Sequence, residues 1–313
     1  HNMEGDKLQS TLPHYAYLRI ADGCSNKCSY CAIPLIRGKM RSRKMENIIE
    51  EAKKFAENGV KELVIVAQDV TAYGIDLYKK YALPDLLKQL CKIDGIKWIR
   101  LLYCYPERMT DELIETIKTE DKVLNYIDIP IQHCNKEILR NMYRGGDEQS
   151  LRELFAMLRR EIPGVVLRTT LITGFPGETE EQFSELAEFV NDIKFERLGC
   201  FAYSAEEDTP AAEMPDQVDE GERQRRADII TSEQEIRMGE YYAGMVGNTY
   251  EVVCEGFDRY SDMYFGRSMH FAPEIDGMIY FTSAKDKGSL TIGDFVNVKI
   301  TDVLENNLLG ERV

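Results

Sequence analysis

From residue 15 to about residue 203 the hydrophobic pattern of this chain switches repeatedly between two periods. Short runs rich in β-branched and aromatic residues, at 15–20, 62–67, 98–102, 126–129, 165–172 and 197–201, read as strands. Between them apolar residues recur at helical spacing, near 45–57, 85–93, 111–118, 136–142, 148–161 and 180–194. Strand-helix alternation of this kind predicts a parallel sheet with right-handed crossovers. Six such units predict an α/β fold, a partial (β/α)6 barrel of TIM-like type over residues 15–204. The loops at the carboxyl ends of its strands are then the place to look for chemistry.

Beyond residue 204 the pattern changes. Residues 205–222 are dense in Glu, Asp and Pro and read as an acidic linker wrapping away from the barrel, and a long helix follows from about 222 to 242, ending near Gly244. From 245 to 313 no helical period appears. Short alternating runs at 249–255, 277–282 and 295–303, separated by Gly and Asp, predict a small antiparallel β-barrel. Residues 1–14 read as a leader, and His1-Asn2-Met3 as a tag remnant.

Hydrophobic residues make up 43% of the 313 and charged residues 30%. No apolar run approaches the roughly 18 residues of a membrane span, so a soluble, cytoplasmic protein is expected. The formal net charge is −15. A chain this acidic repels polyanions and matches a basic protein partner. Arg37, Lys39, Arg41, Arg43 and Lys44 form a local basic run, read either as a contact patch or as a solvated loop. The C-terminal region from 245 onward has eleven acidic against six basic side chains, which argues against an ordinary phosphate-binding surface.

Candidate chemistry concentrates just after the first strand, where Cys24, Cys28 and Cys31 stand at Cys-x3-Cys-x2-Cys. Three thiolates on one loop make a soft-metal site. A structural zinc site would need a fourth ligand, which the loop does not hold, whereas an iron-sulfur cluster held by three cysteines keeps one iron open for a ligand. A zinc knuckle completed by a distant residue stays an alternative; a disulfide framework is disfavoured in a chain long enough to bury a full core. Tyr30, directly before the third cysteine, can lie against a cluster and an adenine ring. Cys91, Cys104, Cys134, Cys200 and Cys254 are scattered singly in apolar surroundings and read as buried thiols.

The predicted strand ends add candidates. They include Gln68 to Gly74, with Tyr73; Tyr103 and Tyr105; Gln132 and His133; and a Gly-rich turn, Gly174-Phe175-Pro176-Gly177. Thr179 and Gln182 behind that turn form a capping box. Backbone amides there suit an anionic ligand, though an ordinary strand-to-helix turn has the same signature. Arg168 is a charge inside an apolar strand. A substrate carboxylate is its natural partner if it faces the barrel interior, and it snorkels between helices if it faces out. His133 reads either as an acid-base or metal group or as a hydrogen-bonded loop histidine.

The cysteine spacing with an aromatic before the third resembles the signature of radical S-adenosylmethionine (SAM) enzymes. Asp22-Gly23-Cys24 through Ala32-Ile33-Pro34, Arg37-Gly38, Ser42-Arg43 and Gly174 to Thr179 resemble the methylthiotransferases of that superfamily. The C-terminal barrel, with Gly266-Arg267 and Ala272-Pro273-Glu274-Ile275-Asp276-Gly277, looks like their TRAM domain. Gln68-Asp69-Val70-Thr71-Ala72-Tyr73-Gly74, Tyr103-x-Tyr105-Pro106 and Asp128 to His133 resemble the RimO-type branch, which modifies an aspartate of a small-subunit ribosomal protein. The transfer-RNA branch usually has asparagine in place of Asp69 and a Gln-Ser pair in place of Gln132-His133.

The resemblance implies methylthiolation at the aspartate β-carbon. One SAM is cleaved to a 5′-deoxyadenosyl radical that takes the β-hydrogen, sulfur joins the resulting carbon radical, and a second SAM supplies the methyl group. It implies Cys24, Cys28 and Cys31 as ligands of a 4Fe-4S cluster and Tyr30, Gln68, Gln132 and Arg168 as parts of the SAM pocket. Implied partners are a basic ribosomal protein or the small ribosomal subunit and a reductant protein, with tRNA less favoured. Family members begin with a further domain that holds a second 4Fe-4S cluster, whereas fewer than 25 residues precede Cys24 here. The expectation is a truncated form that binds one cluster and cleaves SAM without completing methylthiolation. The rival readings are a tRNA methylthiotransferase and a zinc-binding adaptor for RNA or protein.

Overall fold

A computed structural model describes residues 10–313. In chain order it opens with β1 (Tyr15–Arg19), β2 (Ala21–Asp22), α1 (Ile33–Arg37), β3 (Arg41–Ser42), α2 (Met45–Glu57), β4 (Glu62–Val66), α3 (Leu83–Leu90) and β5 (Trp98–Leu101). It continues with α4 (Asp111–Thr119), β6 (Val123–Asp128), α5 (Lys136–Asn141), α6 (Glu148–Glu161), β7 (Val166–Thr173), α7 (Glu180–Ile193), β8 (Arg197–Ala202) and α8 (Glu220–Met245). Strands β9 (Thr249–Asp258), β10 (Met263–Arg267), β11 (Ile279–Thr282), β12 (Phe295–Leu304) and β13 (Asn307–Arg312) complete it.

The six expected strands pair in the order β1-β4-β5-β6-β7-β8, every pair parallel. The sheet is open, with β1 and β8 at its edges. Alternation along each strand decides what its two faces meet. Leu18, Leu63, Ile65, Ile99, Leu101, Ile127 and Leu167 pack under the helices. Tyr15, Val64, Trp98, Leu124, Tyr126 and Val166 point the other way and pack with Val253 and Ala272 of the C-terminal region.

That region is a closed five-stranded barrel in the order β10-β11-β13-β12-β9. Its pairs are antiparallel except β11 with β13, which run parallel. Two of its strands, β10 and β13, lie outside the expected runs, because Gly266 and Gly310 interrupt their alternation. A Cβ on Gly266 would stand 2.0 Å from the Val253 carbonyl oxygen, so glycine is required where β9 and β10 approach at a bulge.

Two further expectations are corrected. The acidic segment after β8 does not wrap away from the sheet: its Ala211 is buried with Ile138, Met142, Phe175 and Tyr203, and Tyr30 and Met214 pack against them. The apolar positions within the acidic run draw it back beneath the cysteine loop. Nor is His14 merely leader: its carbonyl accepts from the Lys61 and Glu62 amides at 2.7 and 2.9 Å, and its Nε2 lies 3.0 Å from Glu255. His1-Asn2-Met3 lie outside the described residues.

Barrel and sheet are joined by buried charge. Glu62 accepts from Arg100 Nε on the neighbouring strand at 2.7 Å and from Arg267 Nη2 of β10 at 2.8 Å. Arg267 Nε also reaches Glu255 at 2.7 Å, and Arg100 Nη1 donates to the Met269 carbonyl at 2.9 Å. The motif Ala272 to Gly277 faces the sheet: Tyr15 donates to Glu274 at 2.7 Å and Tyr126 to Asp276 at 2.7 Å.

Burial alone would raise the Glu62 carboxyl, but Arg267 and Arg100 hold it at about 2 against an ordinary 4.5. A depressed folded-state pKa contributes stability above the unfolded value that is lost as pH falls through the folded one. Arg267→Ala should therefore cost about 3 kcal/mol of stability at pH 7, because it takes one cation from each of two buried carboxylates and leaves Glu62 to Arg100 and Glu255 to His14. In urea titrations from pH 5 down to 2, the wild-type advantage over Glu62→Gln should shrink across the window between 4.5 and about 2.

Candidate functional site

The cysteine loop is pinched at its base by β2 and β3, which pair antiparallel through Ala21 with Ser42 and Asp22 with Arg41. Gly23 enters the loop at φ +71°, where a Cβ would lie 2.5 Å from the Lys39 carbonyl oxygen. Cys24 N–H then donates to Gly38 O at 3.1 Å. Asp22 accepts from Arg37 and Arg41, each at 3.2 Å, and Arg43 pairs with Glu51 at 2.6 Å. Three of the five cations in the basic run are thus spent in holding the loop.

Deeper in the loop, Asn26 donates to Asp69 Oδ2 at 2.9 Å and accepts from Arg108 Nη2 at 2.9 Å, while Arg108 Nη1 pairs with Asp69. Asp69 Oδ1 in turn accepts from Thr71 Oγ1 at 2.6 Å and from the Ala72 amide at 3.1 Å. On the far side Ser29 N–H donates to Met142 O at 3.0 Å, its hydroxyl to Asn141 O at 2.7 Å, and its carbonyl accepts from Ala211 N–H at 2.9 Å.

So anchored, Cys24, Cys28 and Cys31 open onto one cavity of about 170 Å³ at the carboxyl end of the sheet. Tyr30 lines it from the loop, Gln68 from beyond β4, Tyr103, Cys104 and Tyr105 from beyond β5, and Pro130 and Gln132 from beyond β6. Burial pushes the Cys24 and Cys31 thiols up. Two wall residues hold left-handed backbone, Tyr103 at φ +63° and Gln132 at φ +70°. Such strain costs about 1–3 kcal/mol per residue and persists where surrounding bonds impose it. Tyr103 N–H donates to Asp128 Oδ2 at 2.9 Å, and Gln132 is bridged to β7 through Thr170 O and Ile172 N–H, both at 2.9 Å. Among the described residues Gln132 Oε1 is buried without a hydrogen-bond partner.

Arg144 also lines the cavity, and nothing in its local sequence announced it. Its Nη1 lies 3.9 Å from Cys28 Sγ and 3.5 Å from the Tyr30 hydroxyl, and Nη2 donates to Pro130 O at 2.8 Å. Tyr105 lies between two guanidinium groups, 4.3 Å from Arg144 and 4.6 Å from Arg108. Arg168 is not among the lining residues: it faces the barrel side of the sheet and pairs with Asp128 at 3.1 Å. Its carboxylate is therefore internal, and it reaches the site only through Asp128 and Tyr103. Tyr73 is buried beneath the loops, donating to Arg43 O at 2.9 Å. His133 is buried, accepting at Nδ1 from Asn135 N–H at 3.0 Å, with Nε2 3.4 Å from Glu178.

Thr179 and Gln182 form the expected capping box. The approach to the Gly-rich turn is filled by α8, since a Cβ on Gly174 would lie 2.1 Å from Arg223 Cγ. Glu178 ties the turn to Arg226 at 2.8 Å.

Among the described residues no three His, Cys, Asp or Glu side chains could hold a single metal ion. A cubane asks for something else: each cysteine ligates a different iron, so the sulfurs stand around a cluster. Three thiols on one cavity, beside a cation that offsets thiolate charge and an unsatisfied amide oxygen, suit such a group and a polar ligand next to it.

A parallel sheet whose strand ends enclose this loop, followed by the five-stranded barrel, defines a radical SAM protein with a C-terminal TRAM domain. Residues 18–190 match the Radical SAM superfamily and residues 246–313 the TRAM domain. Coproporphyrinogen III oxidase from Escherichia coli, a radical SAM enzyme, shares the fold with a TM-score of 0.53 and 17% identity over 74% of this chain and 54% of its own. The radical SAM methyltransferase TsrM from Kitasatospora setae does so at 0.52 and 15%, over 64% and 38%. The chain belongs to the RimO family of ribosomal protein uS12 methylthiotransferases. It is 50% identical to the Clostridium botulinum member over 98% of this chain and 68% of that protein, and 50% identical to that of Caldanaerobacter subterraneus over 99% and 70%.

The Asp69 clamp makes a direct prediction. In Asp69→Asn an amide nitrogen would face the donors of Asn26 and Arg108, so urea unfolding should show a loss of about 1–3 kcal/mol. Full stability in that variant would show that the clamp does not order the loop.

Proposed function

We propose that this chain carries the SAM-cleaving core of a uS12 methylthiotransferase, acting at the β-carbon of an aspartate, with Cys24, Cys28 and Cys31 holding a 4Fe-4S cluster. The observation that carries the reading is the convergence of these three thiols on the cavity where Gln132 Oε1 stands unpaired. When bound, the cluster supplies an open iron and the single electron that cleaves SAM, chemistry strong enough for an unactivated carbon.

The chain's own residues prepare that site. Arg144 places a fixed positive charge beside Cys28, where it can offset the negative charge of a thiolate-held cluster. Gln132 presents an acceptor for an N–H donor of the ligand, Tyr30 gives an aromatic wall, and Gln68 stands at the mouth. Tyr103 and Tyr105 add aromatic walls from beyond β5. Arg168 acts at one remove, fixing Asp128 and through it the strained Tyr103 backbone.

Cys91, Cys104, Cys134, Cys200 and Cys254 lie on separate elements, and no three of them form a metal group among the described residues. The second, sulfur-delivering cluster that the family resemblance implies would then be held outside these five cysteines. The net charge of −15 fits a basic ribosomal protein as substrate. A ribosomal substrate supports a cytoplasmic location, with a reductant protein as the electron source. Among the described residues no helix is long and apolar enough to cross a membrane.

Anaerobic reconstitution with iron and sulfide should give one cluster per chain by visible and EPR spectra, and 5′-deoxyadenosine from SAM with dithionite. Cys28→Ala should abolish both. In pulldowns the reconstituted protein should retain uS12 and not a tRNA anticodon stem-loop. A colourless protein that keeps zinc through reconstitution would overturn the reading.

A further inference from the structure

Beside the cysteine cavity lies a second hollow of about 630 Å³, which shares Gln68 and Tyr103 with it. Its remaining walls come from β1, from the ends of β4 and β5, from the base of the cysteine loop, and from Glu274 and Ile275 of the C-terminal region. Its charged side chains are Arg19, Asp22, Arg37 and Glu274. Asp22 is committed to Arg37 and Arg41, one on each carboxylate oxygen. Glu274 accepts from the Tyr15 hydroxyl at 2.7 Å and from that of Tyr17 at 3.2 Å. Arg19 differs: among the described residues its half-buried side chain makes no ion pair and no hydrogen bond. Its backbone is nonetheless fixed, paired along β4 and accepting from Arg43 Nη1 at 2.8 Å.

A guanidinium partly withdrawn from water, whose neighbouring carboxylate Asp22 already has both oxygens bonded to other arginines, favours an incoming anion. Its planar fork fits a carboxylate in particular. Two carboxylates come near this site in the proposed reaction, that of SAM and that of the substrate aspartate. Arg19 lines the hollow and not the cavity that the three cysteines enclose, which places it on the substrate side.

We propose that Arg19 grips the side-chain carboxylate of the target aspartate, setting its β-carbon at the Gln68 and Tyr103 boundary between hollow and cavity. The carboxylate carbon is bonded directly to the β-carbon, so holding the first positions the second, as a near-attack geometry requires. Arg19 is a specificity-determining residue in this reading, which rests on the uS12 function proposed above.

The test titrates reconstituted wild-type protein, Arg19→Gln and Arg19→Lys with uS12, with uS12 carrying asparagine at the target aspartate, and separately with SAM. Wild type should prefer the aspartate form by roughly tenfold or more, as expected for a charge-assisted bond. Arg19→Gln should lose that preference by weakening the aspartate form alone, and Arg19→Lys should retain part of it. An undiminished preference in Arg19→Gln would overturn the assignment and leave the uS12 function standing. So would a weakened SAM affinity with the preference intact, which would give the guanidinium to SAM. Wild-type protein that binds neither form of uS12 would overturn the functional reading and the assignment together.

Discussion

Glu62 sits wholly buried between two arginines, one from the adjacent strand and one from the C-terminal barrel. A carboxylate in that position costs several kcal/mol unless its charge is met, and neither partner suffices without the geometry of the other. Barrel and sheet are consequently held in one relative register. Such a pair is a weaker argument for net stability than for uniqueness of arrangement, because desolvation offsets most of its Coulomb attraction. The register has a functional consequence. It brings the Ala272 to Gly277 segment against the sheet and makes Glu274 and Ile275 a wall beside the cysteine cavity.

The cysteine loop shows the complementary strategy. It has only a five-residue helix of its own, yet it carries the chemistry, so its order is borrowed. A two-residue strand pair closes its base, Asp69 and Arg108 hold Asn26, the end of α5 holds Ser29, and the acidic segment after β8 bonds to it from beneath. The supporting residues come from strand ends and helix termini, the rigid parts of the fold. Left-handed backbone at Tyr103 and Gln132 belongs to the same logic, since each is pinned by hydrogen bonds to a neighbouring strand end.

Charge is used at two scales. Overall the chain is acidic, which suits encounter with a basic protein. Locally the cavity and its neighbouring hollow collect arginines. Arg144 faces the thiols, Arg37 and Arg41 lock Asp22, Arg108 locks Asp69, and Arg19, near Asp22, makes no ion pair or side-chain hydrogen bond among the described residues. The basic run after the cysteines, legible as either a contact patch or a solvated loop, is mostly structural: three of its five members are engaged within the chain.

What the sequence determined by itself was whatever depends on near neighbours. The periods of two and 3.6 that mark the six strands and their helices are local, as are the cysteine spacing and the Thr179-Gln182 capping box, and all are found in the structure. Tertiary structure decided which long polar side chains meet. Arg168 finds Asp128 forty residues away, so a candidate SAM contact became a support for Tyr103. Arg144 reaches Cys28 across 116 positions, with no pattern around it to reveal the meeting. His14, read as leader, anchors β4 and pairs with Glu255, and the parallel closure of β11 on β13 joins strands that no hairpin connects. A guanidinium's partner is set by where the backbone has already carried it, and only the folded chain fixes that.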